Sequence, residues 1–378
     1  MAETSVLSGL DLTKWRPKFI REISRQSGFD PYMGTDPTDI IHVVNDAKSS
    51  GFTIRVPLVG RVQNNGVAGN ARLSGAEVQM DQYYQDISWE YYRNAIEISK
   101  KEREKSAVNL LEERQPLLRE WASELIKYQI IDCFHQMSDG ATYAASSAAT
   151  RNAFITNNAD RVLFGSLRSN ASSGVMATAL ATLDTTADKL SPAVGSIAKR
   201  MARVATPHIR PYKTEDGKEW FVMFCHPLAF KALKANATII ANNQYARARE
   251  GNGMMKNPLF TDGDLMDDGI IYKEVPEFWA PRQGDISSAN VNTNTHLVGV
   301  GTSSADVGVN FLCGQQALAF VNKQAPMPIT KKEDDYGFFS GVGIELAHGM
   351  QKLRWNNGSG TNKDLGIVTV YTAIEADA

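Results

Sequence analysis

GFTIRVPLV, residues 51–59, alternates its side chains: Phe52, Ile54, Val56 and Leu58 share one face, and Thr53 and Arg55 lie on the other. A period of two marks a β-strand with one covered face. Pro57 removes a backbone donor inside the run, which places the strand at a sheet edge or in a projecting ribbon. The stretch Gln63–Gly75 that follows is rich in Asn and Gly and contains the turn pair Asn65-Gly66. Alternation returns over Ala76–Tyr84 and again over Ile87–Ile98, where Ile87, Trp89 and Tyr91 share a parity. Residues 51–98 therefore read as a long two-armed β-ribbon with a polar tip. An isolated hairpin of that size buries too little to be stable alone. It must lie on its own chain or on another copy.

Outward from the ribbon, the period changes. Lys100–Lys105 is a charged run that reads as a solvated helix entrance. Leu111, Leu118 and Leu125 then repeat at seven, and Trp121, Tyr128 and Ile131 widen the stripe. One long helix is expected from Pro116 to Ser138, with Pro116 in its first turn or at a kink, and Gly140 stops it. Residues 140–190 are rich in Ala, Ser, Thr and Asn around one short apolar strand, Arg161–Gly165. A helix over Ser191–Ala205 precedes a strand at Trp220–Phe224, which runs through His226-Pro227 into a helix ending at Lys234. Further strands are expected at Gly269–Val275, His296–Gly301, Asn310–Cys313, Ala317–Val321, Gly341–Trp355 and Leu365–Ile374, the last two flanking the loop Asn356–Lys363. On the N-terminal side, Pro17, Gly28, Pro31, Gly34 and Pro37 interrupt residues 1–50, which read as an extended arm with at most a short helix near Trp15–Arg25. The class is α+β.

Composition narrows function by exclusion. The 378 residues carry 40 Lys+Arg against 42 Asp+Glu, a formal charge of −2, where a dedicated nucleic-acid binder shows a basic excess. No apolar run reaches the roughly 18 residues a spanning helix needs, and the first residues lack a signal-peptide layout. Cys133, Cys225 and Cys313 lie too far apart for a CxxC pair or a disulfide framework and are expected to be reduced and buried. No P-loop, nucleophile elbow or HExxH is present, and Gly299-Val300-Gly301 lacks the third glycine of a dinucleotide fingerprint. The histidines (His42, His135, His208, His226, His296 and His348) are scattered in sequence, and His135 and Cys133 would face different sides of a helix. Asp262-Gly263-Asp264 with Asp267-Asp268-Gly269 fails as a calcium loop, because its twelfth position is Lys273; it reads as a turn. Lys199, Arg200 and Arg203 read as an exposed helix face. Catalytic, cofactor-binding and metal residues are assigned to none. The chain is not expected to be an enzyme.

Several strings resemble one family. Asn257-Pro258-Leu259-Phe260-Thr261 followed by Asp268–Glu274 resembles a stretch of one group of tailed-phage major capsid proteins. In the same order come Arg161–Gly165, Phe221–Pro227 (FVMFCHP), Phe311–Leu318 (FLCGQQAL), Asp335–Gly343 (DYGFFSGVG) and Asp364–Val370. The resemblance implies the HK97-type capsid fold, divided as N-terminal arm 1–50, E-loop 51–84, P-domain with spine helix 85–190, A-domain 191–325, P-domain return strand 326–358 and C-terminal A-domain strand 359–378. It implies a coat subunit of the virion, made in the host cytoplasm, that assembles as hexamers and pentamers around double-stranded DNA. A portal, a decoration protein and, because only about 50 residues precede the ribbon, a separate scaffolding protein are its expected partners. Packaged DNA would be touched only non-specifically, and no cofactor or membrane is expected. A nanocompartment shell of the same fold and an unrecognised α+β enzyme are the competing readings. The fold's founding member cross-links a lysine of its E-loop to a neighbour, but from Ser49 through Ser99 this chain has no lysine.

Overall fold

The computed structural model describes the chain except residues 1–27, 46–50, 61, 63–65, 71, 79, 81, 107–109, 214–216, 243–259, 262–263, 281–290, 332–337, 357–361 and 377–378. The helix expected near Trp15–Arg25 and the string Asn257–Leu259 lie outside the described residues. The rest forms two compact units.

One unit comprises Glu90–Ile126 and Gln324–His348. Its strand Glu90–Ser99 pairs antiparallel with Phe339–Lys352, with Ser99 opposite Phe339 and Glu90 opposite His348. The spine helix, Leu110–Phe134, sets Leu118, Ala122 and Leu125 on Ile344 and Leu346 of that sheet, with Tyr92, Ile96 and Trp121 packed around them. The expected stripe therefore does face the sheet. Each such leucine contributes on the order of 1.5–3 kcal/mol by leaving water. The helix boundaries differ from the expectation. It begins before Pro116, which sits inside it, and it ends at Phe134 because Met137 N–H turns to Ala141 O at 2.8 Å.

The other unit comprises Gly28–Trp89, Lys127–Lys323 and Gly349–Ala378. Its main sheet is mixed, in the order Val162–Phe164, Ile367–Ile374, Asp306–Cys313, Glu219–Cys225, Ile270–Glu274, Asp264–Asp267, Phe260–Thr261. Glu219–Cys225 runs parallel to Ile270–Glu274 and antiparallel to Asp306–Cys313. Alternate residues serve opposite faces. Phe221 and Met223 join Val194, Ala198, Met201, Leu228, Phe230 and Leu233 of the helices Pro192–Val204 and Pro227–Lys234. Phe224 instead meets Phe29 at 5.0 Å and Phe134 at 5.3 Å between ring centroids. The helices start where the sequence suggests: Ser191 Oγ accepts from Val194 N–H, and a proline occupies each first turn. Gly195 is required there, since a Cβ would lie 1.9 Å from the Tyr272 hydroxyl.

Two boundaries depart from the expected division. Residues 28–45, expected as arm, fold into this unit, where Phe29, Tyr32, Ile40 and Ile41 are buried. Ile41–Asn45 pairs parallel with Leu318–Thr330. These four side chains find partners in their own chain, which removes any need for a neighbour to cover them. Residues 127–190 also belong here rather than with the spine's sheet, because Val162–Phe164 pairs parallel with Ile367–Ile374 and Phe154, Ile155, Met176 and Leu180 are buried. Several strand bounds shift as well: Asn310–Cys313 lengthens to Asp306–Cys313, and Gly341–Trp355 divides into Phe339–Lys352 and Arg354–Asn356. Ala317–Val321 becomes Leu318–Thr330, which continues through Pro326 and Pro328 with its last residues exposed, and His296–Gly301 shortens to His296–Leu297.

Candidate assembly surface

The ribbon of the sequence is a two-stranded sheet of its own, Thr53–Val59 against Gln82–Ser88. Ile54 stands opposite Ile87, Val56 opposite Gln85 and Leu58 opposite Tyr83, which gathers the less exposed residues on one face. On the other face Arg55 grips Asp86 with two nitrogens, at 2.7 and 3.0 Å, and lays its guanidinium 3.9 Å from the Tyr84 ring centre. That bidentate bond holds the Asp86 carboxyl below its usual pKa. The regular alternation ends at Trp89, between two strands, so Ile87 and Trp89 are buried while Tyr91 is half exposed.

The base of the ribbon is fastened by a side chain acting as backbone. Gln85 Nε2 donates to Lys352 O at 2.8 Å, and Gln85 Oε1 accepts Arg354 N–H at 2.8 Å. Tyr83 packs edge-on against Trp355, with ring centroids 5.0 Å apart. The fastening segment is itself pinned from below. Lys352 Nζ lies 2.7 Å from Asp364 Oδ2, Arg354 Nε lies 3.4 Å from Oδ1, and all three side chains are buried. Burial lowers the Lys352 pKa, and the Asp364 carboxylate opposes that shift. Asp364 N–H in turn donates to Asn158 Oδ1 at 2.8 Å.

Beyond that base the ribbon is poorly covered. Among the described residues, Phe52, Val59, Val62, Val67, Leu73, Val78, Met80 and Tyr84 all expose large apolar side chains. Apolar surface left in water at this density marks an interaction surface. Next to the base, a cleft of about 880 Å³ separates Pro57–Gly60 from Arg203–His208, and Trp355 and Lys363 form part of its wall. Val204, 70% exposed, stands at this cleft together with exposed Val59. The arrangement can bury side chains of another chain.

The candidate ligand groups of the sequence stay apart. Among the described residues, no three His, Cys, Asp or Glu side chains converge as a metal site. His135 is buried against Asn294 O and, at 2.7 Å, the Tyr371 hydroxyl. Asp268-Gly269 forms a tight turn with positive φ at both positions, 47° and 69°. Lys199 is held by Asp268 Oδ1 at 2.9 Å, and Arg200 and Arg203 are exposed. Among the histidines, sequence reasoning missed that His226 and His296 are in contact through their rings. Seventy residues separate them, and no spacing rule reaches that far.

A family model described as "Phage capsid protein" matches residues 3–376 of this chain. The major capsid protein of Pseudomonas phage KPP25 is 24% identical over 378 residues, which is 96% of this chain and 94% of that protein. Among solved structures, the capsid asymmetric unit of cyanophage Pam1 superposes with a TM-score of 0.85 at 28% identity, covering 100% of both chains. The capsid of Ralstonia phage GP4 gives a TM-score of 0.72 at 19% identity, also over 100% of both.

Proposed function

The chain belongs to the phage capsid protein family, and on that premise we propose that copies join as hexamers and pentamers into an icosahedral head around double-stranded DNA, held by the 51–84 ribbon. The protein is the structural subunit of the phage head, a component of the virion and not an enzyme. Its architecture is the α+β capsid fold of tailed phages. In this reading the ribbon is the E-loop, the sheet of Glu90–Ser99 and Phe339–Lys352 with its spine helix forms the P-domain, and the mixed sheet with its two helices forms the A-domain. The formal charge of −2 suits subunits that pack side by side and touch DNA without sequence preference. A portal, a scaffolding protein and a decoration protein are the further partners this reading brings.

One observation carries the proposal: apolar side chains from Phe52 to Tyr84 stand in water on a ribbon that pairs with no other strand among the described residues. In a monomer they are a liability. Between copies, each 100 Å² of that surface covered is worth about 2.5 kcal/mol before ordering costs. Deleting Asn64–Ser74 should leave a soluble, folded subunit that forms few or aberrant shells by electron microscopy. Normal shells from the deletion variant would refute the role.

A further inference from the structure

His226 and His296 are the two inner links of one short hydrogen-bonded chain. His226 follows the strand Glu219–Cys225 and caps the helix Pro227–Lys234, its Nδ1 accepting Leu228 N–H at 3.3 Å. Its Nε2 lies 3.1 Å from His296 Nδ1. His296 Nε2 in turn lies 3.3 Å from Asp306 Oδ2, whose partner oxygen accepts Gly299 N–H at 2.8 Å. Both imidazoles are buried, at 0% and 3% exposure.

Three contacts link four groups, and each contact has room for one hydrogen. Leu228 supplies the first from its main chain, so His226 Nδ1 must be bare and its Nε2 must carry the proton. That proton faces His296 Nδ1, which must also be bare, and His296 Nε2–H then points at the Asp306 carboxylate. The backbone thereby fixes both tautomers, and both rings are neutral. A third ring proton has no empty contact. Placed on His296 Nδ1 it opposes His226 Nε2–H, and placed on His226 Nδ1 it opposes Leu228 N–H.

The surroundings leave little slack. Asn310 Oδ1 holds His226 N–H at 2.9 Å, and Gly308, paired with His296, leaves room for the His226 ring, which a Cβ there would meet at 3.1 Å. Asp306 is the charged group facing the pair from the neighbouring strand. From the strand Ile367–Ile374, Thr372 bonds Asn310 at 2.9 Å, and Glu375 just beyond it is tied to Lys189 at 2.8 Å. Burial lowers the pKa of both rings, most for His226, and Asp306 opposes the shift at His296.

We propose that the His226–His296 pair is an acid-sensitive latch on this unit: one added proton breaks either the cap of the helix Pro227–Lys234 or the ring contact that ties it to the strand His296–Leu297. The sign follows from linkage. Both rings hold protons less well folded than unfolded, so the latch is intact above pH about 6.5 and weakens as pH falls below it.

The test is unfolding of the full-length subunit at pH 7.5 and pH 5, for wild type and His226→Asn. Asparagine can still cap a helix but does not titrate, while His135 and His348 remain in both proteins and cancel. Wild type should lose about 30-fold more in its folding equilibrium than the variant over that interval, the ratio for one histidine that titrates only when unfolded. Equal losses overturn the proposal. Should His226→Asn fail to fold, hydrogen exchange of wild type decides. Protection of the amides of residues 228–234 should drop at least tenfold between pH 7.5 and 5.5 after correction for intrinsic rates, and unchanged protection overturns the latch.

Discussion

Lys352 and Asp364 meet at 2.7 Å with their side chains 0% and 2% exposed, directly beneath the main chain that holds the ribbon. Such a pair returns little net stability, because both ions lose their hydration. Its rupture is costly for the same reason. Asp364→Leu strands a buried ammonium beside Arg354 and should destabilise the subunit by about 3–5 kcal/mol. Lys352→Met should cost less, since Arg354 remains 3.4 Å from the carboxylate. Urea unfolding of both variants checks the order. Losses below about 1 kcal/mol for Asp364→Leu would show that water reaches the pair.

Gln85 makes a prediction that separates anchoring from folding. Its carboxamide supplies two hydrogen bonds to the Lys352–Arg354 main chain, each worth roughly 0.5–1.5 kcal/mol net. Gln85→Ala should therefore leave a folded subunit, about 1–2 kcal/mol weaker at the ribbon base. Hydrogen exchange over residues 82–88 should speed up while exchange in the main sheet does not change. Shell yield should fall with it. Unaltered exchange at 82–88 would mean that Tyr83 and Trp355 suffice to hold the ribbon.

These two sites also mark where sequence reading ends. Ribbon and spine were legible because their signals are local: a period of two through Ile54, Val56 and Leu58, and a repeat of seven through Leu118 and Leu125. Pro227 and Ser191 announced helix starts for the same reason. The clamp was not legible, since Gln85 meets Lys352 and Arg354 across more than 260 residues and glutamine has no periodic signature. The fate of residues 28–45 was misread because their prolines and glycines dominate the local pattern. Four apolar side chains, Phe29, Tyr32, Ile40 and Ile41, nonetheless anchor the segment. The boundary expected at 190 moved because a three-residue strand, Val162–Phe164, is too short to show which sheet it joins. His226 and His296 look like unrelated residues until the sheet brings them together.

The spine helix offers a packing test. Leu118 and Leu125 contact Ile344, Leu346 and their neighbours with 2% and 7% of their surface exposed. Truncating either to alanine removes three heavy atoms from a filled site and should cost about 2–5 kcal/mol. Leu117, one residue from Leu118 but 42% exposed, provides the control: Leu117→Ala should stay within about 0.5 kcal/mol of wild type. Equal costs at Leu117 and Leu118 would put the wrong face on the sheet.

The final prediction is that the mature shell holds without covalent bonds between subunits. An isopeptide cross-link from the ribbon would need an uncharged lysine amine there as nucleophile. From Ser49 through Ser99 the basic residues are Arg55, Arg61, Arg72 and Arg93, and a guanidinium stays protonated. Lys48 and Lys100, the nearest lysines on either side along the sequence, are 25 and 27 residues from Leu73. Disulfides fare no better. Cys133, Cys225 and Cys313 are all buried within the subunit, and burial pushes the Cys133 thiol up to about 12, leaving almost no thiolate near neutral pH. On the assembly role proposed for the ribbon, cohesion comes from burial of its apolar side chains and of the cleft beside Val204. Particles boiled in SDS with reductant should run as one band near 41.5 kDa. A ladder of multimers that survives this treatment would show that some other pair of residues supplies the bond.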